Sequence, residues 1–276
     1  MPGVPMFDLS TLYLPLTASP LVRARYEERL PASALRPYVR CFWRSLPGDE
    51  RTSLVIPDTC MDLLFQPGKP PVLCALDDRA YRSQNCGCIE FAVRFYPWAI
   101  SLFTGESLAG SLNQAFDARW HLPALSDALS RMVRQTEDFA ERCRLAEAIL
   151  YAHLRSERVS ADFLNALHIV LRAEGRPRAA DLAREVHLSP RQLERLFAAY
   201  TGASPKKLCG LVRYQCLWRA ALSPGFDVQD AVARFGYTDQ SHLLRHFKTC
   251  HSLPLTQALA LARQDVAFLQ SKPDGF

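Results

Sequence analysis

Two short stretches near the C-terminus carry side chains suited to hydrogen bonding with the edges of base pairs. Arginine can donate two parallel hydrogen bonds to guanine, glutamine pairs in a similar way with adenine, and glutamate accepts from the amino group of cytosine. The candidate base-contacting residues are Arg191, Gln192, Glu194 and Arg195 in the first stretch and Gln240, Ser241, His242 and Arg245 in the second.

Basic residues around these stretches would bind phosphate oxygens, contacts that position a protein on a nucleic acid without reading its sequence. Between Arg176 and Arg263 the chain has 13 Lys or Arg and 6 Asp or Glu, whereas the remainder has 20 and 22. The formal net charge of +5 therefore arises in this region, which is typical of a surface that binds a polyanion. The candidate phosphate ligands are Lys206, Lys207, Arg213, Arg219 and Lys248.

The first stretch has the start signals of an α-helix. Ser189 suits the N-cap, Pro190 suits the first helical position, and Gln192 has the spacing of a capping box. The apolar positions that this helix would bury are Leu193, Leu196 and Phe197. A short amphipathic pattern over residues 179–186 precedes it, so the two segments together predict a helix-turn-helix unit.

The same pattern recurs at an offset of 50 residues. Ala183, Leu193, Arg195 and Phe197 have counterparts in Ala233, Leu243, Arg245 and Phe247. A repeat of this kind is more specific than a single motif, because core positions and an outward arginine must match twice. An apolar helix from Pro205 to Leu222 would hold the two units side by side.

These segments together resemble transcription regulators of the AraC/XylS type. The resemblance rests on the run from Leu188 to Phe197, the Gly202-Ala203-Ser204-Pro205 turn, Arg213, and the run from Phe235 to Lys248. The second unit departs from the pattern, because Ser252-Leu253-Pro254 stands where these regulators usually have Gly-x-Ser-Pro.

The resemblance implies a sequence-specific transcription factor that binds double-stranded DNA, with both units in the major groove. It places base contacts at the positions named above. It also implies RNA polymerase as a partner and leaves a homodimer open. We expect no cofactor and no catalytic residue.

The first 120 residues or so show short β-type runs, broken by turn signals such as Pro47-Gly48 and Pro67-Gly68. The predicted strands cover residues 38–43, 53–56, 61–65 and 89–95. Together with Leu35-Arg36-Pro37 and Ile56-Pro57-Asp58, these runs weakly resemble the small β-rich sensor domain of a subgroup of the same regulators.

Charged and aromatic residues of this half would line a pocket for a small-molecule effector. The candidates are Arg40, Asp58, Asp62, Arg94 and Trp98. Charges that flank apolar strands are also common on the outer face of a sheet. A simple dimerisation or polymerase-contact module is therefore the competing interpretation.

A helical period begins near Leu122 and predicts helices between the two halves. Its predicted buried positions are Leu125, Leu129, Met132 and Val133, then Leu145, Ala148, Ile149 and Leu154. The predicted fold class is α+β, with a β-rich N-terminal domain, a helical connector and an all-α C-terminal domain. We expect a sensor or dimerisation domain at 1–120, the connector at 121–173 and the double helix-turn-helix domain at 174–270.

Nine cysteines and no export signal favour reduced thiols over a disulfide framework. Cys86 and Cys88 would share one face of a strand and could bind a soft metal or sense oxidants, although their spacing differs from typical zinc sites. A thiol- or metal-responsive regulator is therefore one alternative. A second is a DNA-alkylation repair protein with the same DNA-binding module, in which Cys41 or Cys60 would accept a methyl group.

The chain shows no signal for a membrane. No run approaches the roughly 18 uncharged apolar residues that a spanning helix requires. The N-terminal stretch lacks a basic start and contains Asp8, which argues against a secretory signal. We therefore expect a cytoplasmic protein with no membrane partner.

Overall fold

The computed structural model describes residues 9–16, 26–45, 53–83, 88–154 and 159–264. Its strands are β1 (Tyr26–Arg29), β2 (Val39–Ser45), β3 (Ser53–Val55), β4 (Met61–Phe65), β5 (Val72–Cys74), β6 (Tyr81–Ser83), β7 (Ile89–Phe95) and β8 (Ala115–Asp117). Its helices are α1 (Pro123–Gln135), α2 (Phe139–His153), α3 (Ala161–Arg172), α4 (Ala179–Glu185), α5 (Pro190–Thr201), α6 (Pro205–Ala221), α7 (Val228–Phe235), α8 (Gln240–His251) and α9 (Leu255–Gln264). The α+β fold class is confirmed. None of the helices described is long and apolar enough to cross a membrane.

Six of the described strands form one antiparallel sheet in the order β1-β2-β7-β4-β5-β8, and β3 pairs with β6. Successive side chains of a strand point to opposite faces. In β4, Leu63 is buried in the core, whereas Asp62 lies on the other face. Arg94 of β7 lies directly opposite Asp62, so the register brings opposite charges together on that second face.

The strands β2, β3, β4 and β7 confirm the four that the sequence predicts. The other four are not predicted. Three of them have only three residues each, too few for an alternating pattern, and β1 is a polar edge strand with mostly exposed side chains. The equally short β3 is predicted from the apolar run 54–56 and the Pro57-Asp58 turn that follows it.

Helices α1 and α2 cover the apolar face of the sheet. The ring of Phe139 lies 6.3 Å from that of Phe91 in β7. The buried Arg142 donates hydrogen bonds to the carbonyl oxygens of Glu90, Val133 and Thr136. The hydrogen bonds of the Arg142 guanidinium thus connect α2 with α1 and β7.

The predicted buried face is correct for α1 and only partly correct for α2. Leu125, Leu129, Met132 and Val133 are buried as expected. In α2 the buried set is Phe139, Arg142, Cys143, Ala146 and Leu150, whereas Ala148 is exposed and Leu145, Ile149 and Leu154 are half-buried. Leu145, Ile149 and Leu154 still pack against the core, but the most buried face of α2 includes a hydrogen-bonded arginine that the apolar pattern does not mark.

The helices α3 to α9 pack around α6. The first half of α6, with Leu208 and Val212, belongs to the core that also includes residues of α3, α4 and α5. The second half, with Leu217 and Trp218, lies in a separate core with α7, α8 and α9. The linker helix therefore carries one unit on each half, in agreement with the sequence prediction.

Helix α3 packs against α4, α5 and α6. Its Phe163 lies 5.3 Å from Phe197 and 4.6 Å from Tyr200, measured between ring centroids. This packing places α3 beside the first helix-turn-helix unit, although the predicted boundary at residue 174 leaves α3 in the connector. The domain boundaries themselves stay a prediction.

Candidate nucleic-acid interface

The first unit consists of α4, a four-residue connection and α5. The predicted capping box is confirmed, because the Ser189 hydroxyl accepts from the Gln192 amide while the Gln192 side chain accepts from the Ser189 amide. His187 takes a left-handed conformation in the connection, with a φ of 56°. Leu193 and Phe197 are buried beneath α5, so the opposite face of the helix is open to solvent.

The second unit consists of α7, another four-residue connection and α8. The carboxylate of Asp239 caps α8 by accepting from the amide of His242 at 2.7 Å. This hydrogen bond holds the pKa of Asp239 below its ordinary value. Leu243 and Phe247 are buried in α8 and match the buried Leu193 and Phe197 of the first unit.

The 50-residue repeat extends to the turns that follow the second helices. Gly202 ends α5 with a φ of 72°, and Ser252 ends α8 with a φ of 62°. Glycine adopts this left-handed conformation without strain, whereas serine does so at some cost. The departure of Ser252 from the family pattern therefore leaves the helix ending unchanged.

Residues 182–260, which include α5 to α8, match a family model described as a helix-turn-helix domain. The C-terminal region carries an AraC-type helix-turn-helix domain. The presence of this domain supports a role for the protein as a DNA-binding transcription regulator. We refer to α5 and α8, the second helices of the two units, as the recognition helices.

The N-terminal sheet region has its own match. Residues 27–117 fit a family model described as a domain of unknown function (DUF6597), and this range includes β2 to β8. No curated protein gives a significant match to the chain.

Solved structures of ToxT from Vibrio cholerae are similar at low identity. The structure from strain O395 is 11% identical with a TM-score of 0.37, and the match covers 81% of this chain and 92% of that one. A 1.65 Å structure of ToxT is 10% identical with a TM-score of 0.39, and the match covers 86% and 98% of the two chains. The described elements, rather than this likeness, establish the α+β architecture.

The candidate base-contacting residues lie mainly on the exposed faces of the recognition helices. The side chains that are exposed are Arg191, Gln192, Glu194, Arg195, Gln240, Ser241 and Arg245. His242 is half-buried, and its ring packs edge-on against Tyr237 with 5.2 Å between centroids. Neither of the key arginines, Arg195 and Arg245, is packed into the interior.

Four of these candidates have side-chain hydrogen-bond partners inside the protein. The side-chain oxygen of Gln192 accepts hydrogen bonds from Ser189 in the capping box. Only the NH₂ group of this side chain is therefore left for a base. Gln240 accepts from the side chain of Gln229 in α7 at 3.3 Å. The Nδ1 atom of His242 lies 3.1 Å from the Thr238 hydroxyl. The Nε atom of Arg245 donates to the carbonyl oxygen of Ser241 at 3.3 Å, but the described hydrogen bonds do not use the terminal nitrogens of its guanidinium. Arg195 and Arg245 therefore remain the strongest candidates for base contact.

The five candidate phosphate ligands divide into two groups. Lys206, Arg219 and Lys248 are exposed to solvent. Lys207 is also exposed, but its ammonium lies 2.5 Å from the carboxylate of Asp78 in the sheet region. The guanidinium of Arg213 donates to the carbonyl oxygens of Gly175 and Arg176 and lies over the ring of Tyr237. Lys207 and Arg213 thus make structural contacts that the sequence does not predict.

The structure brings three of the five pocket candidates together on the second face of the sheet. Asp62 accepts two hydrogen bonds from Arg94, at 2.9 and 2.8 Å, and Asp58 lies 3.7 Å from the same guanidinium. Asp62 also accepts from the indole N–H of Trp43 at 3.0 Å. Burial raises the pKa of Asp58 to about 6, with Arg94 opposing that shift and Asp62 adding to it.

The other two pocket candidates make contacts elsewhere. Arg40 forms an ion pair with Glu28 at 3.1 Å. Trp98 is buried, donates to the carbonyl oxygen of Pro37 and stacks on Tyr96 with 4.5 Å between ring centroids. These partners give Arg40 and Trp98 a structural role.

The cysteines offer little support for thiol chemistry. Cys86 lies outside the described residues, and Cys88 is half-buried with a pKa raised by burial and by Glu90. Cys41 and Cys60 are fully buried, and burial raises the pKa of both thiols, which disfavours the reactive thiolate. Within the described ranges, no group of His, Cys, Asp or Glu residues is arranged to hold a metal ion.

Sequence reasoning missed the residues that join the sheet region to the helices of the C-terminal region. Buried Gln215 of α6 donates to the carbonyl oxygen of Pro57 at 2.6 Å and accepts from the amide of Leu16 at 2.8 Å. Asp78 is 129 positions from its partner Lys207. No local pattern marks such contacts, since they depend on the packing of distant segments.

Proposed function

We propose that the protein is a sequence-specific transcription factor that inserts α5 and α8 into the major groove of double-stranded DNA. The observation that carries this proposal is the repeated unit with an exposed arginine at the same position of each recognition helix, Arg195 and Arg245. A guanidinium at such a position can form the bidentate contact with guanine that is common in specific complexes.

The exposed ends of the two recognition helices support this proposal. In helix-turn-helix proteins the N-terminal residues of the recognition helix contact base edges. The caps of α5 and α8, Ser189 and Asp239, are both exposed. The C-terminal ends of these helices instead contact the sheet region, through Ala199 and Cys250. The free ends are therefore the ones that would enter the groove.

Exposed cations around the recognition helices would add sequence-independent affinity. Lys206, Arg219 and Lys248 are the phosphate candidates that have no carboxylate partner among the described ion pairs. Such contacts release counterions from DNA, so the affinity should fall linearly with salt on a double logarithmic plot.

Selection from a pool of random duplexes tests the proposal. The full chain should enrich one motif and bind it at least about a thousandfold more tightly than unrelated duplexes at physiological salt. Equal affinity for enriched and unenriched duplexes would contradict the proposal.

We further propose that a small molecule bound near Arg94 modulates DNA binding. Asp58, Asp62 and Trp43 surround this guanidinium and provide both charged and aromatic contacts. RNA polymerase would be the partner on which such a regulator acts, and a second copy of the chain would bind an adjacent site.

Thermal unfolding with panels of small amines and small carboxylates tests the modulation. A compound that binds the folded state should raise the melting temperature of the wild type, and the shift should disappear in Asp62→Asn. If the shift persists in this variant, the effector site lies elsewhere. If no compound shifts the melting temperature and the chain sediments as a stable dimer, the sheet region is a dimerisation module instead.

A further inference from the structure

A short loop after β5 joins the sheet region to both halves of the double helix-turn-helix. We call residues 76–80 the clamp loop. Asp78 accepts a hydrogen bond from the ammonium of Lys207, in the first turn of α6, at 2.5 Å. The amide of Ala80 donates to the carbonyl oxygen of Cys250 at 2.6 Å, and the Ser252 hydroxyl donates to the carbonyl oxygen of Ala80 at 2.8 Å. The clamp loop thus holds the start of α6 and the end of α8.

The clamp loop is itself fixed within the sheet region. The amide of Asp78 donates to the side chain of Asn113 at 2.9 Å, and the amide of Asn113 donates to the carbonyl oxygen of Leu76 at 2.7 Å. The side chain of Asp78 is only 5% exposed, whereas that of Lys207 is 44% exposed. A buried carboxylate with a bound cation is costly to leave unpaired, so the loop and α6 should move together.

Asp78 is ionised at neutral pH. Burial by itself would raise the pKa of this carboxyl, but hydrogen bonds from Lys207 and Arg79 outweigh burial and hold the pKa below its ordinary value. The contact with Lys207 is therefore a charged one under ordinary conditions.

A second loop of the sheet region holds the end of α5. The amide of Leu108 donates to the carbonyl oxygen of Ala199 at 2.9 Å. Gly202, at the end of α5, approaches Ser111 so closely that a Cβ would lie 2.3 Å from its hydroxyl oxygen. The sheet region therefore contacts the C-terminal ends of both recognition helices.

We infer that Asp78 and Lys207 are positioning residues, which set the place of α8 relative to α5 and so determine whether both helices fit one DNA site. This inference rests on the proposed function. It assigns the sheet region a part in sequence recognition without a contact to DNA. It also gives Lys207 a role different from the phosphate contact that the sequence predicts.

Charge reversal tests the inference on the duplex that the wild type selects. The variants are Asp78→Lys, Lys207→Asp and the double reversal, with the milder Asp78→Asn as a variant that keeps the side-chain shape. The control is the double reversal of the exposed pair Glu141 and Arg144 on α2. Binding is measured for duplexes in which each base pair is changed in turn.

Each single reversal should weaken binding about tenfold, with the loss of preference confined to the base pairs contacted by α8. The double reversal of Asp78 and Lys207 should restore the wild-type profile, and the control should not change it. Lys207→Asp could instead weaken binding to all duplexes by the same factor, without recovery in the double reversal. That result would make Lys207 a phosphate ligand and overturn the inference. Tighter or unchanged binding by both Asp78→Lys and Asp78→Asn would overturn it as well.

Hydrogen exchange at the Ala80 amide gives an independent result without DNA. This amide should be protected in the wild type, exchange faster in the single reversals and regain protection in the double reversal. Fast exchange of this amide in the wild type would contradict the contact between the clamp loop and α8. If the clamp behaves as expected but the wild type has no sequence preference, the proposed function fails rather than the contact.

Discussion

At the scale of single residues, substitution of Lys248 tests whether this side chain binds the DNA backbone or contacts a base. It lies exposed in the last turn of α8. Lys248→Ala should weaken binding to the selected site and to unrelated duplexes by the same factor, and reduce the salt slope by about 1. The measurement is a salt titration on both duplexes. Lys69→Ala, an exposed lysine of the sheet region, is the control. A loss confined to the selected site would instead make Lys248 a base contact.

Asp77 should make the stability of the folded chain depend on pH. Burial, together with Asp58 and Asp78, raises the pKa of Asp77 to about 6. Because the unfolded value is lower, the folded state binds more protons between about pH 4 and 6. The ionised form therefore destabilises the fold above about pH 6, and this cost disappears as the pH falls.

Asp77→Asn should remove that cost. The free energy of unfolding should rise by on the order of 1 to 3 kcal/mol at pH 8, and the gain should vanish near pH 4. Urea unfolding at both pH values measures the difference, with the exposed Asp127→Asn as control. A less stable variant at pH 8 would show that the Asp77 carboxylate is stabilised in the fold.

The candidate site is predictable where a residue's position follows from its own helix. The apolar spacing of Leu193 and Phe197 fixes the face of Arg195, and the 50-residue repeat does the same for Arg245. The sequence indicates Gln192 both for the capping box and for a base contact, and only the structure shows that the side-chain oxygen of Gln192 is used in the cap. It also could not show the partner of Lys207, which comes from a distant loop.

At the scale of elements, Gly175 permits the close packing of the α3–α4 turn against α6. Its φ is +74°, and a Cβ there would lie 2.2 Å from the carbonyl oxygen of Cys209 and 2.6 Å from the amide nitrogen of Arg213. Gly175→Ala should therefore reduce the free energy of unfolding by more than about 2 kcal/mol.

Gly225 provides the matched control, because its φ is +75° and nothing lies within 4 Å of its Cβ position. Gly225→Ala should lower the free energy of unfolding only by the strain of a positive φ. Chemical denaturation measures the free energy of unfolding of both variants. The larger loss expected for Gly175→Ala is the contribution of the steric overlap. Equal losses would show that the backbone conformation alone accounts for the effect.

Among the elements, those with strong periodicity are predictable and the others are not. Helices α5 to α8 have caps and apolar spacing, the two units on either side of α6 repeat, and β4 alternates between buried and half-buried side chains. The face of α2 was only partly predicted, because its buried Arg142 is satisfied by carbonyl oxygens from three different segments. Such tertiary hydrogen bonds override the local apolar pattern.

At the scale of the whole molecule, two recognition helices on one linker helix should contact two separate parts of a DNA site. Helix α6 packs on both units, and the sheet region holds the C-terminal ends of α5 and α8. Successive major-groove faces are roughly one helical turn apart. The selected motif should therefore contain two blocks of base preference at about this spacing.

The most direct test of this account compares base preferences of the wild type, Arg195→Ala and Arg245→Ala on the selected duplex. Each substitution should cost roughly 1–3 kcal/mol and remove preference in one block only, a different block for each variant. The exposed Arg144→Ala on α2 should leave both blocks intact. If both arginine variants lose the same block, or weaken every duplex equally, the two helices do not read DNA side by side.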